Sequence, residues 1–317
     1  MRNVEAICLP EVSKLPNLSK CSQQEKQNSS INYKLINSDY SYAIRSNALA
    51  GISFKSKYKS AYIEHKLMQI LEDDRFRSIP VILKIKPKFI SRIAAAVTNN
   101  PEQRRVLFVS GLSGSGKTTA IKDAVSELSN NNGVISYLNG DNFFYDISEE
   151  LKKAGSFDAL INSGKNMDIP DVVDLKRMAK TAKRLVKGEQ KIMIPYYDYA
   201  TGGVVDNIIP VTPPNKGGII IGDTIHGLGP AFSKVRDIGM YVDCPEDVIT
   251  SRWYGRSAER GRTGKDADTL YKSVMDTANI HIKPYKKNAD LVINGLADRE
   301  DSAATLSQLF KVMAGAK

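Results

Sequence analysis

Cysteine is scarce in this sequence. The chain of 317 residues contains three cysteines, at positions 8, 21 and 244, far apart and without the spacing of a metal-binding motif. A disulfide framework or a structural zinc site needs cysteines in pairs or clusters. The sequence therefore predicts free thiols in a reducing compartment.

Long apolar runs are missing as well. No stretch of about 18 uncharged apolar residues, the minimum for a membrane span, occurs, and the N-terminus lacks the apolar core of a secretory signal. We therefore expect a soluble, cytoplasmic protein without a membrane span. Hydrophobic residues make up 42% of the chain and charged residues 25%, and this balance excludes a chain that is disordered throughout.

Positive charge is unevenly distributed along the chain. The formal net charge is +10, and residues 1–100 hold 16 Lys and Arg against 8 Asp and Glu, whereas the remainder holds 29 against 27. A solvated basic surface is the ordinary explanation of such an excess. An anionic partner for this region, such as phosphate, acidic lipid or nucleic acid, is the alternative.

The N-terminal third divides into two parts. Residues 1–50 are rich in Ser, Asn, Gln and Lys and show no sustained periodicity, which predicts a flexible or loosely packed leader. Apolar residues then recur at helical spacing from Ile63 to Leu71 and again from Phe89 to Val97. We therefore predict a mainly helical N-terminal extension over residues 51–103. The Pro-bounded segment 80–87 within it fits either a strand or a linker.

The pattern changes at Arg105. Residues 106–109 form a short apolar run typical of a strand buried on both faces, a glycine-rich turn follows, and apolar residues then repeat at helical spacing from Ala120 to Leu128. Further apolar runs alternate with helical stretches, at 134–138, 192–194, 218–221, 239–242 and 291–293. Residues 104–317 are therefore predicted to form an α/β domain, with a doubly wound parallel sheet and helices on both faces.

The glycine-rich turn GLSGSGKT, residues 111–118, fits the pattern G-x-x-x-x-G-K-[ST] between a predicted strand and a predicted helix. In such a P-loop, backbone N–H groups converge on phosphate oxygens. Lys117 is expected to neutralise the terminal phosphates, and the Thr118 hydroxyl to bind Mg²⁺. The predicted ATP-binding residues are Gly111, Ser113, Gly114, Ser115, Gly116, Lys117, Thr118 and Thr119.

A carboxylate follows the next predicted strand. Asp141 lies just past its C-terminal end, and ligands bind at that edge of open parallel sheets. Asp141 could accept the proton of an attacking hydroxyl during phosphoryl transfer. An Asx turn or a helix cap is the alternative explanation of the same residue.

Further segments follow the loop in a fixed order. They are DNFF at 141–144, MDIPDVVD at 167–174, PYYDY at 195–199, the arginines of 252–262 and KKNAD at 286–290. Together with the loop they resemble the motifs of the uridine kinase and phosphoribulokinase family, to which pantothenate kinase is similar, from about residue 104 to residue 295. The resemblance implies a P-loop kinase that transfers the γ-phosphoryl group of ATP, with Mg²⁺, to a hydroxyl of a nucleoside or a sugar- or pantothenate-like metabolite.

The resemblance also assigns roles to residues. Asp141 would be the catalytic base, Lys117, Arg256 and Arg260 would act on the transferring phosphoryl group, and Arg252 and Arg262 would hold the nucleotide. These arginines would belong to a lid at about residues 250–268. On the acceptor side, Asp168 would hold a substrate hydroxyl. The residues expected to line the acceptor pocket are Phe144, Tyr197 and Tyr199.

Two positions depart from the family pattern. Gly202 stands where the family has a histidine after the PxYDF segment, and Gly222-Asp223 stands where a strand ends in E-G-I. Asp223 would replace the glutamate through a shift of one residue and serve Mg²⁺. A cap at the end of the strand is the alternative role of Asp223.

Two other functional classes fit parts of the sequence. One is a nucleotide-dependent switch that phosphorylates no metabolite. The other is a kinase whose acceptor is a macromolecule or a phosphorylated lipid, attracted by the basic N-terminal region. The sequence also leaves a homo-oligomer open.

Overall fold

The described residues contain a six-stranded sheet. The computed structural model describes residues 52–128, 133–259, 261 and 263–315, without the side chains of 52–58 and 266. The predicted leader at residues 1–50 lies outside these residues. None of the described helices is both long and apolar enough to cross a membrane.

The helices and strands alternate along most of the chain. In order they are α1 (Ile52–Arg75), β1 (Ile82–Ile85), α2 (Phe89–Asn99), β2 (Arg105–Ser110), α3 (Lys117–Leu128), β3 (Ile135–Asn139), α4 (Ser148–Ala154), α5 (Phe157–Asn162), α6 (Leu175–Lys187), β4 (Ile192–Asp198), β5 (Gly203–Val211), β6 (Ile219–Asp223), β7 (Ile238–Asp243), α7 (Glu246–Glu259), α8 (Gly264–His281), β8 (Leu291–Asn294) and α9 (Arg299–Met313).

The sheet has the strand order β1-β8-β7-β2-β6-β3. All neighbours from β8 to β3 run parallel, and only β1 is antiparallel to its neighbour β8. Strand β2 is buried along its whole length, and its side chains alternate between two cores. Leu107 and Val109 pack on the side of α3 and α9, whereas Val106 and Phe108 pack on the side of α6. The predicted parallel sheet with helices on both faces is confirmed.

One predicted strand belongs elsewhere. The apolar run 192–194 was expected in the parallel sheet, but β4 pairs with β5 in a separate antiparallel hairpin. Only the four residues 199–202 separate these strands, and a parallel neighbour would need a crossover of a dozen residues or more. The expectation for this run is therefore wrong, and the hairpin packs on the α6 side of the sheet.

The Pro-bounded segment 80–87, which the sequence left open, contains the edge strand β1. The buried carboxylate of Asp74 at the end of α1 accepts hydrogen bonds from the N–H groups of Val81 and Ile82, at 2.9 and 2.8 Å. The strand then pairs with β8, with Ile82 opposite Ile293. Part of the predicted extension thus continues the central sheet, and the predicted domain boundary at residue 103 stays a prediction.

The parallel strands bring distant segments to one edge of the sheet. The C-terminal end of β2 leads into residues 111–118, that of β3 into Asp141, and β6 ends at Asp223. Because β3 and β2 both flank β6, these three segments are neighbours in space.

Candidate functional site

Residues 111–118 run from β2 into the start of α3, as predicted. Three glycines in this loop have φ values that favour glycine: 151° at Gly111, 93° at Gly114 and 91° at Gly116. A Cβ atom at Gly111 would lie 2.7 Å from the carbonyl oxygen of Val242. Side chains are therefore excluded where the backbone curls, and the loop ends at the N-terminus of a helix, which favours anions.

The loop fits a polyphosphate. The Ser115 hydroxyl is buried within it and has no hydrogen-bond partner among the described residues. A buried hydroxyl without a partner loses free energy, and a phosphate oxygen in the loop would supply an acceptor. The Lys117 ammonium group, at the start of α3, adds a positive charge.

Lys117 is paired with a buried carboxylate. Its Nζ atom lies 2.6 Å from Oδ1 of Asp223, and the Tyr137 hydroxyl donates a hydrogen bond of 2.8 Å to Oδ2. Burial by itself would raise the pKa of Asp223, but the charge of Lys117 and hydrogen bonds from Lys117, Tyr137 and Thr118 hold this pKa below its ordinary value. Asp223 is therefore ionised and fixed beside the loop. Tyr137 was not expected from the sequence.

The residue before Asp223 cannot supply this carboxylate. A Cβ atom at Gly222 would lie 2.3 Å from Cε1 of Phe108 in the adjacent strand. Gly222 lies opposite Phe108 in the sheet, and the ring fills the space where a side chain would start. Packing against Phe108 therefore leaves no room for an acidic side chain at the position before Asp223.

Thr118 and Asp223 offer two oxygen ligands to a magnesium ion. The Thr118 hydroxyl donates a hydrogen bond to Asp223, so the two groups are in contact. Among the described residues, no group of three or more Asp, Glu, His or Cys side chains gathers for a metal. Mg²⁺ usually keeps several waters and takes one or two carboxylates plus phosphate oxygens. Thr118 and Asp223 fit that mode of binding.

Two clefts meet next to the loop. One, of about 570 Å³, is lined by Gly114, by residues 116–120, by Arg252 and by the segment after β8, and we call it the nucleotide cleft. The other, of about 560 Å³, contains Asp168, Phe144 and part of α8 in its walls, and we call it the acceptor cavity. The residues that line both are Ser113, Asp141, Ile225 and Arg256.

Asp141 lies at the junction of the two clefts. It belongs to the short helical turn Gly140–Phe143, and the Asn139 side chain accepts a hydrogen bond of 3.1 Å from the Asp141 N–H group. Asn139 therefore makes the local turn, and the Asp141 carboxylate points into the clefts. Its loss of solvent raises the pKa of Asp141, while the nearby Lys117 charge opposes the rise. A carboxylate whose raised pKa makes it a better proton acceptor thus lies where the two clefts join.

Asp168 is the second carboxylate in the wall of the acceptor cavity. Desolvation, together with the negative charge of Asp141, raises the pKa of Asp168 to about 6. Two carboxylates in one cavity disfavour each other's charge. A substrate hydroxyl that donates a hydrogen bond to Asp168 would replace part of its missing solvation.

The predicted aromatic residues occupy two layers. Phe144 and Tyr199 line the acceptor cavity, and the Tyr199 hydroxyl hydrogen-bonds Asp141. Tyr197 is buried behind them, with its ring centroid 5.1 Å from that of Phe144 and 5.0 Å from that of Tyr199. The structure thus gives Tyr197 a supporting place behind the wall, whereas the sequence predicted it in the lining.

Two predicted arginines reach the loop from α7. The guanidinium group of Arg252 donates hydrogen bonds to the carbonyl oxygens of Gly114 and Gly295, at 3.3 and 3.1 Å. Arg256 reaches the Ser113 hydroxyl at 3.3 Å. Arg260 and Arg262 lie outside the described residues, so the predicted lid stays a prediction.

Trp253 is a residue of the cavity wall that the sequence analysis missed. It lines the acceptor cavity and packs against Tyr271 of α8 in a tilted arrangement, with ring centroids 5.2 Å apart. Its position four residues after Ile249 and three before Arg256 places all three on one face of α7. That spacing was a signal in the sequence.

His226 lies near the end of β6 and is buried. Burial and the nearby His281 lower the pKa of His226 to about 4. Its side chain is therefore neutral at physiological pH. It does not line the acceptor cavity or the nucleotide cleft.

Comparisons with known proteins found matches to the α/β region of this chain. The family model described as "Phosphoribulokinase / Uridine kinase family" matches residues 106–302. A uridine kinase from Latilactobacillus sakei is 31% identical over 200 residues, 62% of this chain and 88% of that protein. Uridine kinase-like protein 5 from Arabidopsis thaliana is 30% identical over 61% of this chain and 39% of its own length.

A uridine kinase from Shewanella frigidimarina is 27% identical and spans 61% of this chain and 89% of its own length. The matched residues begin in β2 and include the loop, Asp141, Asp168, Asp223 and the segment around Arg256. The resemblance of the motifs is therefore confirmed, and the chain belongs to the phosphoribulokinase and uridine kinase family of kinases.

Proposed function

We propose that this protein transfers the γ-phosphoryl group of ATP, with Mg²⁺, to a hydroxyl group of a nucleoside or a related small metabolite. The observation that carries the proposal is the position of Asp141 and Arg256, which line both the nucleotide cleft and the acceptor cavity. Phosphoryl transfer needs an acceptor, a base and positive charge aligned at one point. Relatives named uridine kinase support a nucleoside-like acceptor.

The residues divide the work between binding and proton transfer. The loop N–H groups and Lys117 hold the phosphates, and Arg252 and Arg256 stabilise charge on the transferring group. Asp168 orients the acceptor, and Asp141 accepts the proton of its hydroxyl group as the new P–O bond forms and the bond from the γ-phosphorus to the leaving ADP breaks. Thr118 and Asp223 would hold Mg²⁺, which supplies neutralisation of phosphate charge. The predicted contributions of Arg260 and Arg262 from a lid belong to the same proposal.

The acceptor is recognised without the histidine of the family pattern. Gly202, in the turn between β4 and β5, has a φ of 66°, and a Cβ atom there would lie 2.8 Å from Cγ1 of Ile147. A histidine at this position has neither the backbone conformation nor the space that it needs. The acceptor therefore has to be held by other groups of the cavity, including Asp168 and Tyr199.

A Gly202→His substitution is expected to destabilise the protein. The left-handed backbone costs a non-glycine residue about 1–3 kcal/mol, and the contact with Ile147 adds to this cost. Gly155→His is the matched control, because Gly155 has a similar φ of 80° but no atom within 4 Å of its Cβ position. Thermal unfolding should show a lower Tm for Gly202→His than for Gly155→His. Equal values of Tm would show that Ile147 does not restrict this turn.

The proposal is tested by ATP consumption with Mg²⁺ against nucleosides, sugar phosphates and pantothenate. We expect one acceptor class to stimulate turnover in the wild type and to fail with Asp141→Asn. If no acceptor stimulates turnover and basal hydrolysis survives the substitution, the nucleotide-dependent switch or a macromolecular acceptor replaces the proposal. The cytoplasmic location, the homo-oligomer and the anionic partner of residues 1–100 stay predictions.

A further inference from the structure

A chain of hydrogen bonds connects the acceptor cavity to helix α8. The N–H group of Asp168 donates to Oδ1 of Asn166 at 2.9 Å, and Nδ2 of Asn166 donates to Oγ1 of Thr277 at 2.5 Å. The Thr277 hydroxyl in turn donates to the carbonyl oxygen of Ser273 at 2.8 Å. One asparagine side chain therefore bridges two segments that are 111 residues apart in sequence.

The members of this hydrogen-bond chain have different relations to the cavity. Asp168 and Ser273 line it, whereas Thr277 is buried and does not. Helix α8 also supplies Leu270 and Val274 to the cavity wall, and it packs against α7, which carries Arg256. A side chain that joins the segment of Asp168 to α8 therefore connects one wall of the acceptor cavity with α8 and, through α8, with the helix that carries Arg256.

We propose that Asn166 is a positioning residue for the phosphoryl acceptor, because it fixes the segment of Asp168 against α8 through Thr277. Asp168 and Asp141 line the same cavity, and the charge of Asp141 disfavours the negative charge of Asp168. A fixed backbone would keep the Asp168 carboxylate in place against this repulsion. Asn166 accepts from that backbone with one end of its amide and is anchored at the other end. The inference rests on the proposed function, in which Asp168 holds the acceptor.

Direct contact of Asn166 with the acceptor is the competing explanation, since Asn166 also lines the cavity. Thr277 separates the two explanations. Thr277 does not line the acceptor cavity. A substitution at Thr277 can therefore affect the acceptor only indirectly, through Asn166 or through α8, and this is the effect that a positioning role predicts. Thr269 provides the matched control, because it makes the same hydroxyl bond to the carbonyl oxygen four residues earlier on α8 but is exposed and lies outside the acceptor cavity.

The kinetic test uses Thr277→Val, Thr277→Ser and Thr269→Val in the full chain, with the acceptor that stimulates the wild type. Loss of one positioning hydrogen bond is expected to raise the acceptor KM about five- to tenfold in Thr277→Val, with the ATP KM unchanged. Thr277→Ser keeps the hydroxyl and should restore the wild-type KM, and Thr269→Val should leave it unchanged. An unchanged acceptor KM in Thr277→Val, or an equal rise in Thr269→Val, overturns the proposal.

A double-mutant cycle sharpens the test. Asn166→Ala combined with Thr277→Val should be no worse than Asn166→Ala alone, because both remove the same link. Additive effects on kcat/KM would mean that the two side chains act separately, which also overturns the proposal.

Hydrogen exchange of residues 163–172 measures the link without any acceptor. We expect faster exchange in Thr277→Val than in the wild type or in Thr269→Val, because the Asp168 N–H group loses a fixed partner. Unchanged exchange overturns the proposal. A wild type that phosphorylates no acceptor would instead count against the proposed function, and exchange would still decide whether Asn166 holds this segment.

Discussion

Replacing Asp141 by Asn is expected to lower kcat by about 10²–10⁴-fold, the usual contribution of a general base, and to change the ATP affinity little. Asparagine keeps the shape of the side chain but cannot accept the proton of the acceptor hydroxyl. Asp141 borders the nucleotide cleft but lies outside residues 111–118, which we propose hold the phosphates. Initial rates give kcat, and calorimetry with a non-hydrolysable ATP analogue gives the affinity.

The same substitution should not destabilise the protein. The pKa of Asp141 is raised, which means that the fold disfavours its negative charge, so a neutral side chain removes an unfavourable interaction. Asp276→Asn, which removes an exposed charge on α8 outside both clefts, controls for net charge. If ATP affinity falls as far as kcat, Asp141 serves nucleotide binding and is not the base.

Replacing Lys117 by Ala is expected to remove activity and stability together. Loss of one preorganised donor to the phosphates lowers kcat by about 10²–10³-fold, and ATP affinity falls as well. The substitution also leaves the buried Asp223 without its cation, and breaking a buried pair in this way costs about 3–5 kcal/mol. Chemical denaturation measures the free energy of unfolding, and kinetics measures kcat and the ATP KM.

The double variant Lys117→Ala with Asp223→Asn separates the two effects. The neutral amide introduced at position 223 still has Tyr137 and Thr118 as hydrogen-bonding neighbours, and the variant carries no unpaired charge there. We expect stability to recover while activity stays low. If stability does not recover, the loss in Lys117→Ala comes from the loop itself and not from the unpaired Asp223.

The local features of the site could be predicted from the sequence because they depend on residues that are close together in the chain. The loop 111–118 has unusual φ values and close backbone contacts at its glycines. Only glycine tolerates both, so the spacing of the glycines in the sequence predicts the loop. The buried run of β2 and the helical spacing of α3 likewise follow from local pattern. The run 192–194 was misassigned because an apolar run alone does not show which strand it pairs with; the short connection to β5 decided that.

The contacts between distant segments of the site could not be predicted from the sequence. Tyr137 meets Asp223 across 86 residues, and Asn166 meets Thr277 across 111 residues, and neither pair has a recognisable spacing. Trp253 carried a signal in its helical position, but its place in the acceptor cavity depends on how α7 and α8 pack. Tyr197 was assigned to the cavity lining together with Tyr199, and strand alternation gave no reason to separate the two, because they are two positions apart. Only the packing of their rings decided that Tyr199 lines the cavity and that Tyr197 lies behind it.

By itself, then, the sequence determined the glycine-rich loop between β2 and α3, the alternating α/β order and the family, because each depends on the identity and spacing of residues close together in the chain. Only the tertiary structure decided that the residue after Gly222 provides the carboxylate next to Lys117, that Asp141 lies where the two clefts meet, and that Asn166 links Asp168 to α8. These relations are set by the pairing of parallel strands and by the packing of side chains that are far apart in the chain, which no local pattern encodes.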